Sequence, residues 1–150
     1  MAAYAVEMNR TASATLSVGN IIADATRPRR GKFYDLTFGS EAAPGNFAFL
    51  WQIQRCTTAG TSSAVTPSPL DPADAATESD AGENHTIDPT LTANLILMSE
   101  PLNQQATYRW QAVPGRELVY PATASNGLAI RTPTAGALVA ITARVHYEEQ

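Results

Sequence analysis

The chain is predicted to be all-β: an antiparallel β-sandwich or jelly roll of about eight short strands, with one long Pro-rich loop. Three observations in the 150-residue sequence lead there. Apolar side chains recur at every second position in several runs, and Pro, Gly and Asn-Gly punctuate the gaps between them. No stretch holds helical spacing for even three turns. One domain over residues 1–150 is the expected organisation, because a chain of this length buries one substantial core.

Taken in order, residues 2–8 and 15–23 are the first candidate strands. Tyr34, Leu36 and Phe38 alternate after Gly31. In the run that follows Asn46, Phe47, Phe49, Trp51 and Ile53 share one face, while Ala48, Leu50, Gln52 and Gln54 take the other. Residues 94–98 form a further candidate, and Tyr108, Trp110 and Ala112 alternate before Pro114-Gly115. Leu128 and Ile130 follow the turn pair Asn126-Gly127. The closing strand is the clearest, with Val139, Ile141, Ala143, Val145 and Tyr147 facing in and Thr142, Arg144 and His146 facing out. A slip of one residue would expose that whole apolar set, so its register is well specified.

Residues 57–92 break the pattern. They hold Pro67, Pro69, Pro72 and Pro89 and six acids (Asp71, Asp74, Glu78, Asp80, Glu83 and Asp88), with no Lys or Arg. A loop this long inside a compact domain is functional or disordered. The prolines favour an extended arm, since they reduce the entropy lost on docking. The opposite charge is concentrated in Arg27, Arg29, Arg30 and Lys32, four of the chain's ten cations within six residues. Such segregation suits a docking patch that meets carboxylates, on a larger partner or on the acidic arm of a neighbouring copy. The candidate partner-binding residues are therefore Arg27, Arg29, Arg30 and Lys32 in the turn, and Pro67, Pro69, Leu70, Asp71 and Asp74 in the arm.

The rest of the composition points away from catalysis and cofactors. The net charge of −4 and the lack of aromatics among the clustered cations disfavour nucleic-acid binding. No run approaches the roughly eighteen apolar residues of a membrane span. His85 and His146 have no metal-ligand spacing and read as exposed polar residues. Cys56 reads as a small buried filler at a strand end, and a lone cysteine excludes an intramolecular disulfide. Asp71-x-x-Asp74 lacks the alternating acids of a calcium loop. No G-x-S-x-G elbow or Gly-rich phosphate loop occurs. The expectation is a structural or binding protein made in a cytoplasm, not an enzyme, with no cofactor, metal, nucleic-acid or membrane partner.

The segment Ser62-Ser63-Ala64-Val65-Thr66-Pro67-Ser68-Pro69-Leu70-Asp71-Pro72-Ala73-Asp74-Ala75-Ala76 follows Leu50-Trp51-Gln52-Ile53-Gln54-Arg55. This arrangement resembles a stretch in small proteins encoded among the structural genes of tailed bacteriophages. The later elements are similar too: a strand with Trp110, the turn Pro114-Gly115, the apolar Leu128-Ala129-Ile130, and Tyr147-Glu148-Glu149. The resemblance covers roughly the second two-thirds of the chain and implies a capsid decoration or cement protein on the virion surface. Its partners would be the major capsid protein and other copies of itself, with a homo-oligomeric trimer as the first expectation. The alternative is a carbohydrate- or receptor-binding β-sandwich of a phage fibre or baseplate. Trp51 and Trp110 are its candidate stacking groups, although both read as core.

Overall fold

The period-two runs become twelve strands in a computed structural model that describes residues 1–136 and 138–150. They are β1 (Ala2–Thr11), β2 (Gly19–Ala23), β3 (Gly31–Ser40), β4 (Ala48–Cys56), β5 (Thr61–Val65), β6 (Ser68–Pro69), β7 (Ser79–Ile87), β8 (Leu91–Asn103), β9 (Tyr108–Gln111), β10 (Leu118–Tyr120), β11 (Gly127–Arg131) and β12 (Ala140–Glu149). They form two antiparallel sheets. One runs β10-β3-β12-β1-β6, with β9 also paired to β3, and the other runs β5-β7-β2-β11-β4-β8.

The sheets share one apolar core, as in a β-sandwich. Val6, Met8, Leu36, Phe38, Ile141 and Val145 enter it from the first sheet, and Ile21, Phe49, Trp51, Ile53, Leu128 and Ile130 from the second. Phe38 stacks on Trp51 across the gap, with ring centroids 4.7 Å apart. Each such side chain contributes about 1.5–3 kcal/mol by leaving water. The closing strand behaves as its pattern requires, with Val139, Ile141, Ala143, Val145 and Tyr147 all buried.

In three places the burial differs from that expected of the alternating runs. On β3 the register shifts beside His146, so that Asp35 faces His146 while Phe33 faces Tyr147. Tyr34 is the extra residue of this bulge, so Phe33, Leu36 and Phe38 fill the core and Tyr34 is only half-buried. Phe47, expected inside with Phe49, is 60% exposed because β4 begins one residue later. Its ring folds over Gly45, where a Cβ would stand 2.7 Å from it. Tyr108 and Trp110 lie on the short edge strand β9 and pack half-buried on the core's margin.

The largest correction concerns residues 57–92. In place of a free arm they carry β5, β6, β7 and the first residues of β8. β7 lies inside the second sheet, between β5 and β2. The chain crosses from β5 in one sheet to β6 in the other and back to β7, so it straps one side of the sandwich. Only residues 70–78, the strap proper, form an irregular stretch between β6 and β7. The acids and prolines therefore decorate a folded element of the body.

Candidate docking surface

The basic turn connects β2 to β3. Asp24 organises it by accepting hydrogen bonds from the Thr26 hydroxyl (2.7 Å), the Thr26 N–H (2.8 Å) and the Arg27 N–H (2.6 Å). The Thr26 hydroxyl bond, with the two backbone donors behind it, lowers the Asp24 carboxyl to about 2. Arg27, Arg29 and Arg30 are left exposed. Arg27 pairs with Glu78 of the strap at 2.9 Å, and Arg30 donates to the Gln150 amide oxygen at 3.1 Å. Lys32 lies half-buried on β3 opposite Val119 and Glu148.

The strap is tied to the same end of the sandwich. Tyr4 pairs with Pro69 and Ala5 with Ser68, and the Leu70 N–H reaches the Ala3 carbonyl at 2.8 Å. Asp71 closes a local turn, its carboxylate accepting from the Ala73 N–H (2.9 Å) and its carbonyl from the Asp74 N–H (3.0 Å). The Tyr4 hydroxyl donates to the Ala75 carbonyl at 3.1 Å. At the far end, the buried Glu149 carboxylate accepts from the Ser79 N–H (2.7 Å), the Glu78 N–H (3.1 Å) and the Thr77 hydroxyl. The Ser79 hydroxyl meets the Tyr120 hydroxyl at 2.6 Å, and that of Thr77 meets Tyr147 at 2.8 Å. Burial raises both phenols well above the ordinary tyrosine range, so each remains a neutral hydrogen-bonding group.

Two groups selected separately in the sequence thus meet in space. A small cavity of about 220 Å³ has Arg29, Ala75, Ala76 and Glu78 on its walls together with Tyr4 and Glu149. Earlier in the strap Leu70, half exposed, and Asp71 stand out to solvent. Pro67 is buried, and Pro69, paired with Tyr4, and Asp74 are half-buried. The acidic segment, expected to reach toward a neighbour, lies against its own sandwich, because β6 pairs with β1 and β7 with β2 and β5; the Arg27–Glu78 ion pair joins its end to the basic turn.

The sequence reading missed Glu149, whose position among solvated acids gave no sign of burial. It also placed His85 in solvent. His85 is buried, with Nε2 3.2 Å from the Ala59 carbonyl oxygen and Nδ1 without a hydrogen bond. Arg10 lies beside it, donating to the Ser17 and His85 carbonyls at 2.6 and 3.3 Å. Asp88 accepts from the Ser17 N–H at 2.6 Å. Desolvation depresses the His85 pKa, so the ring is held neutral. His146, expected to face out, is half-buried and sits 3.7 Å from Asp35, which Arg109 grips through Nε at 3.0 Å. Among the described residues, no group of three or more His, Cys, Asp and Glu side chains is placed to hold a metal ion.

Comparison with known proteins returned no matching family model, no matching curated protein and no matching solved structure.

Proposed function

We propose that the chain is a structural protein of a tailed-phage particle. It binds the outer shell on the major capsid protein and reinforces it alongside other copies of itself. The observation that carries this reading is the convergence of the basic turn and the strap tip. Arg29 of the turn shares a cavity with Ala75, Ala76 and Glu78 of the strap, and Arg30, Leu70 and Asp71 are exposed. Mixed charge around an apolar residue suits attachment to a polar protein surface, where steering by charge matters more than the strength of any one contact. Many weak contacts on a repeating shell then add through multivalency. The phage sequence resemblance supports the same reading, and it implies a location on the virion surface after synthesis in the bacterial cytoplasm.

The receptor- or carbohydrate-binding alternative gains little from the geometry. Trp51 is buried and stacked on Phe38, so it presents no face to a sugar. Trp110 is half-buried against the core margin.

The test is co-sedimentation of the purified chain with capsid shells of the phage that encodes it. Wild type is expected in the shell pellet. Leu70→Asp combined with Asp71→Lys should lower the bound fraction while preserving the melting temperature. Absence of wild type from the pellet at low salt would defeat the reading.

A further inference from the structure

A groove of about 430 Å³ lies at the margin of the second sheet, walled by residues of β5, β7 and β2. Its apolar surface comes from Ile22 on β2, Ala64 and Val65 on β5, Ala81 on β7, and Pro67 just beyond β5. Gly82 leaves a gap in the β7 wall. A Cβ there would collide with Ser62 Oγ and stand 3.3 Å from Asn20 Oδ1, so two polar oxygens converge over one glycine. Asn20 is fixed in place, buried and donating through Nδ2 to the Ala59 carbonyl at 3.0 Å.

Asp80 is the sole ionisable side chain among the described residues on these walls. Its carboxylate has neither a hydrogen bond nor an ion pair among the described residues. The Ser62 and Thr66 hydroxyls of the same groove make no hydrogen bond there either. The groove thus offers one negative charge, free oxygen acceptors and an apolar floor, with no cation on its walls. An unpaired carboxylate beside apolar surface gains from an incoming cation, and desolvation already raises the Asp80 carboxyl above the usual carboxylate range. The floor adds a second requirement, an aliphatic stem behind that cation. Lysine meets both, with an apolar stem that packs on a surface and an ammonium whose rotatable donors suit a carboxylate flanked by hydroxyls. A free diamine fits less well, because no second carboxylate lines the groove for its other end.

We infer that this groove receives a lysine side chain presented by a partner protein, its ammonium on Asp80 and its stem against Ile22 and Ala64. Arg29, Arg30, Leu70 and Asp71 are not on its walls. The site is therefore separate from the surface proposed for shell attachment and does not depend on that reading.

Nuclear magnetic resonance titration of the full chain with Nα-acetyl-lysine N-methylamide tests it. Amide shifts should cluster at residues 20–22, 62–66 and 80–82 and saturate with a dissociation constant of about 1–10 mM, as one side chain in one groove allows. The Nε-acetylated form, which has the stem without the charge, should move none of them at about 50 mM. Asp80→Asn should weaken binding by about tenfold or more, whereas Glu7→Gln, at an exposed acid on β1, should bind as wild type does. Shifts scattered over acids elsewhere, equal shifts from the Nε-acetylated form, or an Asp80→Asn variant that binds normally would each overturn the proposal. If Asp80→Asn lost the wild-type melting profile, the carboxyl carbon resonance of Asp80 in wild type would decide. It should move along the same saturation curve, and a static resonance overturns the site. Putrescine separates the two sources of an aliphatic ammonium. It should bind no more tightly than the blocked lysine, and binding about tenfold tighter would make a free diamine the occupant and overturn the protein-borne lysine.

Discussion

Cys56 closes β4 with its thiol buried against Ile22 and Ala129. Burial pushes that thiol up to about 12, so the thiolate, which is the reactive species, is scarce at neutral pH. Iodoacetamide at about pH 8 should leave the native chain unmodified and label it fully in urea. Native labelling at the rate of a free cysteine would show that the segment around residues 57–60 opens. Glu149 is the opposite case, a buried charge whose bonds to Thr77, Glu78 and Ser79 anchor the end of the strap. Glu149→Ala removes the charged acceptor of the Glu78 N–H and the Thr77 hydroxyl and leaves the Ser79 N–H with the Thr77 hydroxyl alone, and it should cost about 1.5–3 kcal/mol in urea unfolding. A midpoint equal to wild type would mean that water replaces the carboxylate. Cys56 was legible in the sequence because a small apolar residue at the end of an alternating strand has an obvious place. Glu149 was not, since the three donors that justify its burial lie about seventy positions away and gather only when β12 and the strap meet.

At the scale of the element, sequence reading overlooked β5, β6, β7 and β10, and of these β7 is the one inside a sheet. Its residues, Ser79 to Ile87, include few of the β-branched and aromatic side chains that mark strands, and its inward positions are small or polar: Ser79, Ala81 and His85. β propensity reflects packing on a half-buried surface, and here the neighbours supply that surface. β7 is paired on both sides, to β5 and to β2, and the Asn9 N–H reaches its Glu83 carboxylate at 2.7 Å. β4, β11 and β12 were legible because each carries large apolar side chains at every second position. The β3 bulge was hidden because inserting one residue leaves the composition unchanged while shifting the face. Deleting residues 66–88 removes an interior strand and should abolish the cooperative thermal transition. Deleting residues 71–75 and joining the ends with a short Gly-Ser linker should preserve it, because that stretch contributes mainly its own turn and the Tyr4 contact. A folded 66–88 deletion would show that the second sheet closes without β7.

For the whole molecule, acid is the condition that reaches the buried polar groups together. His85 has a depressed pKa through desolvation, with Asp88 and Arg10 as the charges facing it, so the unfolded chain takes up its proton first. Stability attributable to His85 is therefore present above its unfolded value of about 6.5 and declines as pH falls toward the folded value. Asp35 is held below the usual carboxylate range, first by the hydrogen bond from Arg109 and further by that charge and His146. Its contribution is present above about pH 4 and is lost as pH falls through the lower folded value. Asp80, raised by burial, acts in the opposite direction but is exposed, so it offsets little. Urea midpoints measured from about pH 8 to pH 3 should consequently fall in two steps, one below about 6.5 and one below about 4. The first step has a specific physical source. Protonation puts a charge on a buried ring beside the Arg10 guanidinium, and desolvation outweighs the Ala59 and Ser17 carbonyls and Asp88, which favour the charged form. His85→Gln should flatten the upper step and leave the lower one, whereas Asp35→Asn should leave the upper step and reduce the lower one without removing it, because Asp24, held at about 2 by Thr26 and the Arg27 N–H, titrates there too. A midpoint that is level between about pH 7.5 and pH 5.5 in wild type would mean that His85 exchanges protons with solvent in the folded state, and the buried cluster would then be open.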